Sequence, residues 1–150
     1  MIRPAGAQDL PFLRDMLRHA YYARWGTDAD VPLERYVAGW GRPGDSAIVS
    51  IDEFQPVGAS WYRLFETYEP GYGFVDEETP ELTLVVVPTK QGQGIGGQLL
   101  DAVLERAKLE GFDALSVSVH RGDSETESYL AQGFEQVHEH GNTLTLRRPL

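Results

Sequence analysis

Four glycines fall within the six residues Gly92-Gln93-Gly94-Ile95-Gly96-Gly97. Lacking a Cβ, such a turn can bring several backbone N–H groups close to one bound anion. The apolar run Glu81–Val87, with three consecutive valines, leads to Pro88 just before it, and a helical pattern starts at about Gly94. A helix N-terminus aims its positive end at the same place. The order predicts a buried strand, a phosphate-holding turn and a helix. Groups able to move protons stand nearby in the chain: Glu81 opens the strand, His120 ends a later apolar run, and Tyr129 falls in a later helical stretch. Each also has a structural reading: Glu81 as a solvated strand-edge carboxylate, His120 as a structural histidine, Tyr129 as a packing tyrosine.

The turn is not a Walker loop, because Gly96-Gly97-Gln98 stands where Gly-Lys-Ser/Thr is needed. A dinucleotide fingerprint can be threaded through Gly92, Gly94 and Gly97. That site also wants an acidic residue at the end of the next strand, and Leu115–Val119 ends in His120-Arg121. A nucleotide-dependent enzyme predicts stabilisation by NAD or ATP.

The 150 residues suit one domain, 1–150, with a full core. No apolar stretch approaches a membrane span and no signal-peptide run opens the chain, so a cytoplasmic protein is expected. With no cysteine, disulfides, thiolate metal sites and a cysteine nucleophile are excluded. No metal cluster is expected, since His138 and His140 have no third ligand nearby. The formal charge of −10 argues against nucleic acid or an anionic membrane as partner and suits a cationic amine, although acidity also serves solubility. An anionic ligand would need the turn's N–H dipoles, helped by Lys90, Arg106 or Arg121.

To position these groups the pattern predicts a strand over residues 1–5 and a helix from near Asp9 to Arg24, with Leu10, Leu13, Leu17 and Ala20 on one face. A turn-rich break covers Gly26–Asp30, and a short second helix runs Leu33–Trp40 behind Pro32. Strands follow at Ser46–Ile51, Val57–Phe65 and Glu81–Val87, then a helix Gly94–Glu110, a strand Leu115–Val119 and a helix Ser124–Gln132. Strands Phe134–His138 and Thr143–Arg147 close the chain around a His140-Gly141-Asn142 turn. The acidic, aromatic loop Glu66–Pro80 is long enough to be functional.

Three landmarks in order resemble the GNAT superfamily of acyl-CoA-dependent N-acyltransferases. Gln91, Gly94 and Gly96 match its Gln/Arg-x-x-Gly-x-Gly/Ala motif behind Val86-Val87-Pro88. Tyr129 with Gly133-Phe134 matches its C-terminal landmark, and Ile2-Arg3-Pro4-Ala5 with Asp9 matches its opening. The resemblance implies an α/β (α+β) fold with a mixed central sheet of about seven strands, four helices and a splayed central strand pair, Leu82–Val87 and Leu115–Val119. It implies acetyl-CoA as co-substrate, held by Leu84, Val85, Val86, Gln91, Gly92, Gln93, Gly94, Ile95, Gly96, Gly97 and Tyr129. Asp123 stands near a cofactor-contacting asparagine of the family and reads equally as a helix cap. Tyr129 is implied as general acid at the sulfur and Glu81 as base through water, with Asp76, Glu77, Glu78 and His120 as alternatives. The acceptor, a small-molecule or peptidic amine, would meet Trp40, Trp61, Tyr72, Phe74 and Asp76. The implied activity is N-acetyl transfer to a primary amine; the alternative is a non-catalytic acyl-CoA-binding or interaction module. A homodimer stays open.

Overall fold

A computed structural model describes residues 1–21 and 32–150. The expected helix end at Arg24 and the break at Gly26–Asp30 lie outside the described residues. Seven strands form one mixed sheet in the order β1-β2-β3-β4-β5-β7-β6. They are β1 Ile2–Pro4, β2 Ser46–Asp52, β3 Gln55–Arg63, β4 Glu81–Val86, β5 Ala114–His120, β6 Glu135–His140 and β7 Thr143–Pro149. Helices α1 Leu10–Tyr21, α2 Ile95–Leu109 and α3 Glu125–Ala131 complete the described α-helices.

The apolar spacing decides which face each helix covers. Leu99, Leu100, Val103, Leu104 and Ala107 form one buried stripe of α2 and pack on Leu82, Val86, Leu115 and Val117. Leu13, Met16 and Leu17 of α1 pack on the opposite face, against Val49, Ala59, Trp61 and Val85. Each leucine, valine or methionine among them, fully buried, contributes about 1.5–3 kcal/mol. Strand alternation therefore sends Leu82, Leu84 and Val86 toward α2, and Glu81, Thr83 and Val85 toward α1.

The expected helix Leu33–Trp40 is a single 3-10 turn, Leu33–Tyr36. A tertiary contact overrides the local pattern. The fully buried guanidinium of Arg63 donates through Nη1 to the carbonyls of Arg35 (3.0 Å) and Ala38 (2.7 Å). Its Nε and Nη2 grip Asp45 at 2.9 and 2.8 Å, and it lies 5.5 Å from the Trp40 ring centroid. Carbonyls that a continuing helix would use are thus engaged elsewhere, and Gly39 turns the chain with φ +62°. The count of four helices is accordingly three among the described residues.

Candidate active site

The pairing of β4 with its neighbours creates the site. Val87 N–H donates to Val57 O, which places the odd-numbered backbone groups of β4 on the β3 side. The even-numbered groups face β5, as Ser116 N–H donating to Pro80 O shows. Yet β4 and β5 pair only at Glu81–Ser116 and Leu82–Val117. Beyond Leu82 the two parallel strands part, and Leu84 and Val86 turn backbone groups into the gap without a strand partner on that side. Val85 differs: its backbone pairs with Ala59 of β3. Gln91 Nε2 donates to Val86 O at 3.2 Å and ties the strand end to the turn that follows.

The turn bends because Gly92 (φ +81°) and Gly94 (φ +84°, the residue before α2) adopt left-handed backbone. A Cβ added at Gly92, Gly94 or Gly97 would meet no atom within 4 Å. The glycines therefore border open space, with the α2 N-terminus pointing into it. A cavity of about 650 Å³ lies there, bordered by Gly92, Gly94, Gly96 and Gly97 and by α3. A second, of about 270 Å³, occupies the gap between β4 and β5. Both are lined by Leu84, Val86, Gln91, Ser124, Glu125 and Tyr129, so they meet as one groove. Tyr129, buried at the junction, stacks edge-on against Phe134 at 5.2 Å, which explains the Tyr-x-x-x-Gly-Phe spacing. Gln93 in the turn and Ile95 at the start of α2 line neither cavity.

Asp123 lines the gap but does not cap α3. Its Oδ2 accepts from His120 N–H at 3.0 Å, closing the turn after β5. The three cations expected to offset an anion are each paired with a carboxylate: Lys90 with Asp52 (2.9 Å), Arg106 with Glu110 (3.8 Å) and Arg121 with Glu139 (2.7 Å). The Asp52 carboxylate raises the Lys90 pKa, and Lys90 holds Asp52 below its ordinary value. Anion attraction therefore falls mainly to the turn amides and the helix dipole.

Glu81 is buried rather than solvated at a strand edge. Tyr36 Oη donates to its Oε2, and Tyr72 N–H donates to Tyr36 Oη at 2.8 Å. The Pro70–Phe74 segment covers it, fastened by Arg35 Nη1 to Pro70 O (2.6 Å) and Ser116 Oγ to Gly73 O (2.8 Å). Only glycine fits at 73, where a Cβ would come within 2.8 Å of Ser118 N. Glu81 is not among the residues lining the two cavities, whereas Tyr129 lines both.

The expected acceptor residues divide. Trp61 is fully buried beneath α1, Tyr72 and Phe74 are half-buried in the same cluster, and Trp40 rests on Arg63. Asp76 is exposed and accepts from Glu78 N–H at 2.9 Å, closing a local turn, while Glu77 accepts from Thr67 N–H at 2.9 Å and ties the far part of the loop back to its start. None of these lines the two cavities. His120 Nδ1 lies 3.1 Å from Arg121 O, which requires the Nδ1–H tautomer for a hydrogen bond. Sequence reasoning missed His19 at the end of α1, Thr83 on β4 and Ser118 on β5, all lining the gap. The available signal was strand alternation for Thr83 and Ser118, and for His19 its place on the flank of the α1 apolar face.

A family model described as "Acetyltransferase (GNAT) family" matches residues 10–134, and the chain belongs to that family. A solved ribosomal-protein-alanine N-acetyltransferase from Brucella melitensis is similar at 25% identity, TM-score 0.74, over 100% of this chain and 99% of that one. A PaiA N-acetyltransferase from Thermoplasma acidophilum, solved with coenzyme A, shares the fold at 17% identity and TM-score 0.71, over 100% and 98% of the two chains. A phosphinothricin acetyltransferase from Sinorhizobium meliloti, solved with AcCoA, shares it at 18% identity and TM-score 0.69, over 100% and 88%. No curated protein sequence matches the chain.

Proposed function

We propose that this chain is an acetyl-CoA-dependent N-acetyltransferase acting on a primary amine of a small molecule or peptide. The observation that carries the reading is the continuous groove from the glycine turn to the parted strands, with Tyr129 at its junction. Acetyl-CoA supplies an activated acyl group as a thioester. The N–H groups of residues 92–97 hold its diphosphate, and Leu84 and Val86 hold the amide-bearing arm as an added strand would. Val86 N–H, facing the gap, donates to the acyl oxygen as negative charge grows there. The Tyr129 hydroxyl gives its proton to the departing sulfur. Asp123, tied to His120 N–H, shapes the gap rather than gripping the cofactor.

In this reading Glu81 takes the amine's proton through water, because its carboxylate is buried and lines neither cavity. Trp40, Tyr72 and Phe74 act as supports of the acceptor side, and Asp76 as a rim residue. His19, which lines the gap, is the competing base. No helix among the described residues is long and apolar enough to cross a membrane. We place the activity in the cytoplasm.

Release of free thiol from acetyl-CoA, measured against a panel of primary amines, tests the function. Amine-dependent release that falls in E81Q, in His19→Asn, or in both supports the reading and assigns the base. Tight CoA binding without acyl transfer to any amine overturns it.

A further inference from the structure

The gap-facing carbonyl of Val86 takes its hydrogen bond from a side chain. Gln91 Nε2 reaches back five residues and donates to Val86 O at 3.2 Å. Val86 is buried, whereas Gln91 is an exposed residue with a long, flexible side chain. Even-numbered backbone groups of β4 face β5, and past Leu82 no residue of β5 pairs with them. The Gln91 carboxamide therefore gives Val86 O the kind of bond that an amide of a neighbouring strand would give it. Both residues line both cavities, so the carboxamide stands on the path from the glycine turn into the gap. Its hold is weak. The distance is at the long end of the N–H···O range. One hydrogen bond within a protein contributes little net, and fixing a glutamine gives up much of its rotamer freedom.

We propose that the Gln91 carboxamide is a built-in stand-in for an amide of the CoA arm. It occupies Val86 O until the arm enters, then swings out as an N–H of the arm takes its place. This rests on the acyl-CoA reading of the groove and adds an exchange step to it. The exchange makes entry selective. A ligand with the diphosphate but no arm leaves the Gln91–Val86 bond intact. An arm without amides breaks that bond and returns no donor to the buried carbonyl, which is unfavourable. A side chain that grips the cofactor weakens binding when it is removed. A stand-in does the reverse: without it nothing has to be displaced, and the arm binds more tightly.

The test titrates the chain with CoA and with adenosine 3′-phosphate 5′-diphosphate, which carries the diphosphate and lacks the arm. Q91A removes the carboxamide, and Q91M keeps the side-chain length without an N–H donor. In both variants the ratio of CoA affinity to fragment affinity is expected to rise by about two- to tenfold over the wild-type chain, the net value of one hydrogen bond. A ratio that is unchanged or lower in either variant overturns the stand-in. A second readout is spectroscopic. The side-chain amide resonances that Q91M removes should move to those of a solvent-exposed glutamine when CoA is added, and stay fixed with the fragment. Resonances that move with neither ligand, or equally with both, overturn the proposal. Failure of CoA to bind overturns the stand-in and the acyl-transfer reading together. A raised ratio without acyl transfer to any amine supports the stand-in and sinks the acyl-transfer reading alone.

Discussion

Replacing Gly94 by alanine, with Gly111→Ala as its matched control, separates a structural glycine from a ligand-holding one. Both residues have left-handed backbone, φ +84° and φ +87°, and an added Cβ meets no atom within 4 Å at either. The folding cost should therefore be the same, about 1–2 kcal/mol for forcing an L-residue into that region. For a chain of this size that lowers Tm by about 2–8 °C in each variant. The two sites differ in what lies beyond the missing Cβ. Gly94 borders the groove at the start of α2, whereas Gly111 sits just past the other end of the helix. A methyl group at 94 displaces an anion or turns aside the N–H groups that hold it. Losing one charge-assisted hydrogen bond costs about 1.5–3 kcal/mol. That corresponds to CoA binding weakened by about 10- to 150-fold in G94A and unchanged in G111A. Thermal unfolding followed by calorimetric titration with CoA reads both quantities. Equal CoA affinity in the two variants would refute the reasoning, whatever their melting temperatures.

Y129F should leave CoA affinity intact and lower turnover by about 100-fold, with the pH–rate profile losing one limb; unchanged turnover across pH removes the acid role. D45N leaves the buried Arg63 guanidinium without its carboxylate, and chemical denaturation should show a loss of about 3–5 kcal/mol. Asp9 accepts two hydrogen bonds from Arg3, both at 2.9 Å, and that guanidinium holds its carboxyl below the usual value of 3.8. A lowered folded-state pKa adds stability that is full above the unfolded value and disappears as pH falls through the folded one. D9N should therefore melt lower than the wild-type chain at pH 7, with the gap closing below about pH 4 in acid-unfolding curves.

The strands were legible wherever apolar alternation met a turn signal. The two-residue connection Gly141-Asn142 between β6 and β7 and the glycine turn before α2 are local features, written in residues that tolerate positive φ. The parted strands were expected through resemblance, and the register explains them: pairing stops at Leu82. What failed to show in the sequence depends on partners far along the chain. Nothing near Leu33–Trp40 signals that Arg63 will take the Arg35 and Ala38 carbonyls, so local pattern favoured a helix. Glu81 looks like a polar strand end because Tyr36 and the folded-over Pro70–Phe74 segment, which bury it, lie 45 residues before and about ten before it. Lys90, Arg106 and Arg121 look available until the fold sets a carboxylate beside each.

A crystal structure of the chain grown with CoA tests the central claim most directly. The account predicts diphosphate oxygens within hydrogen-bond distance of backbone N–H groups between Gly92 and Gly97, the amide-bearing arm along Leu84 and Val86, and the sulfur beside the Tyr129 hydroxyl. CoA bound on another surface, or β4 and β5 zipped together past Leu82 with the glycine turn packed shut, would contradict it.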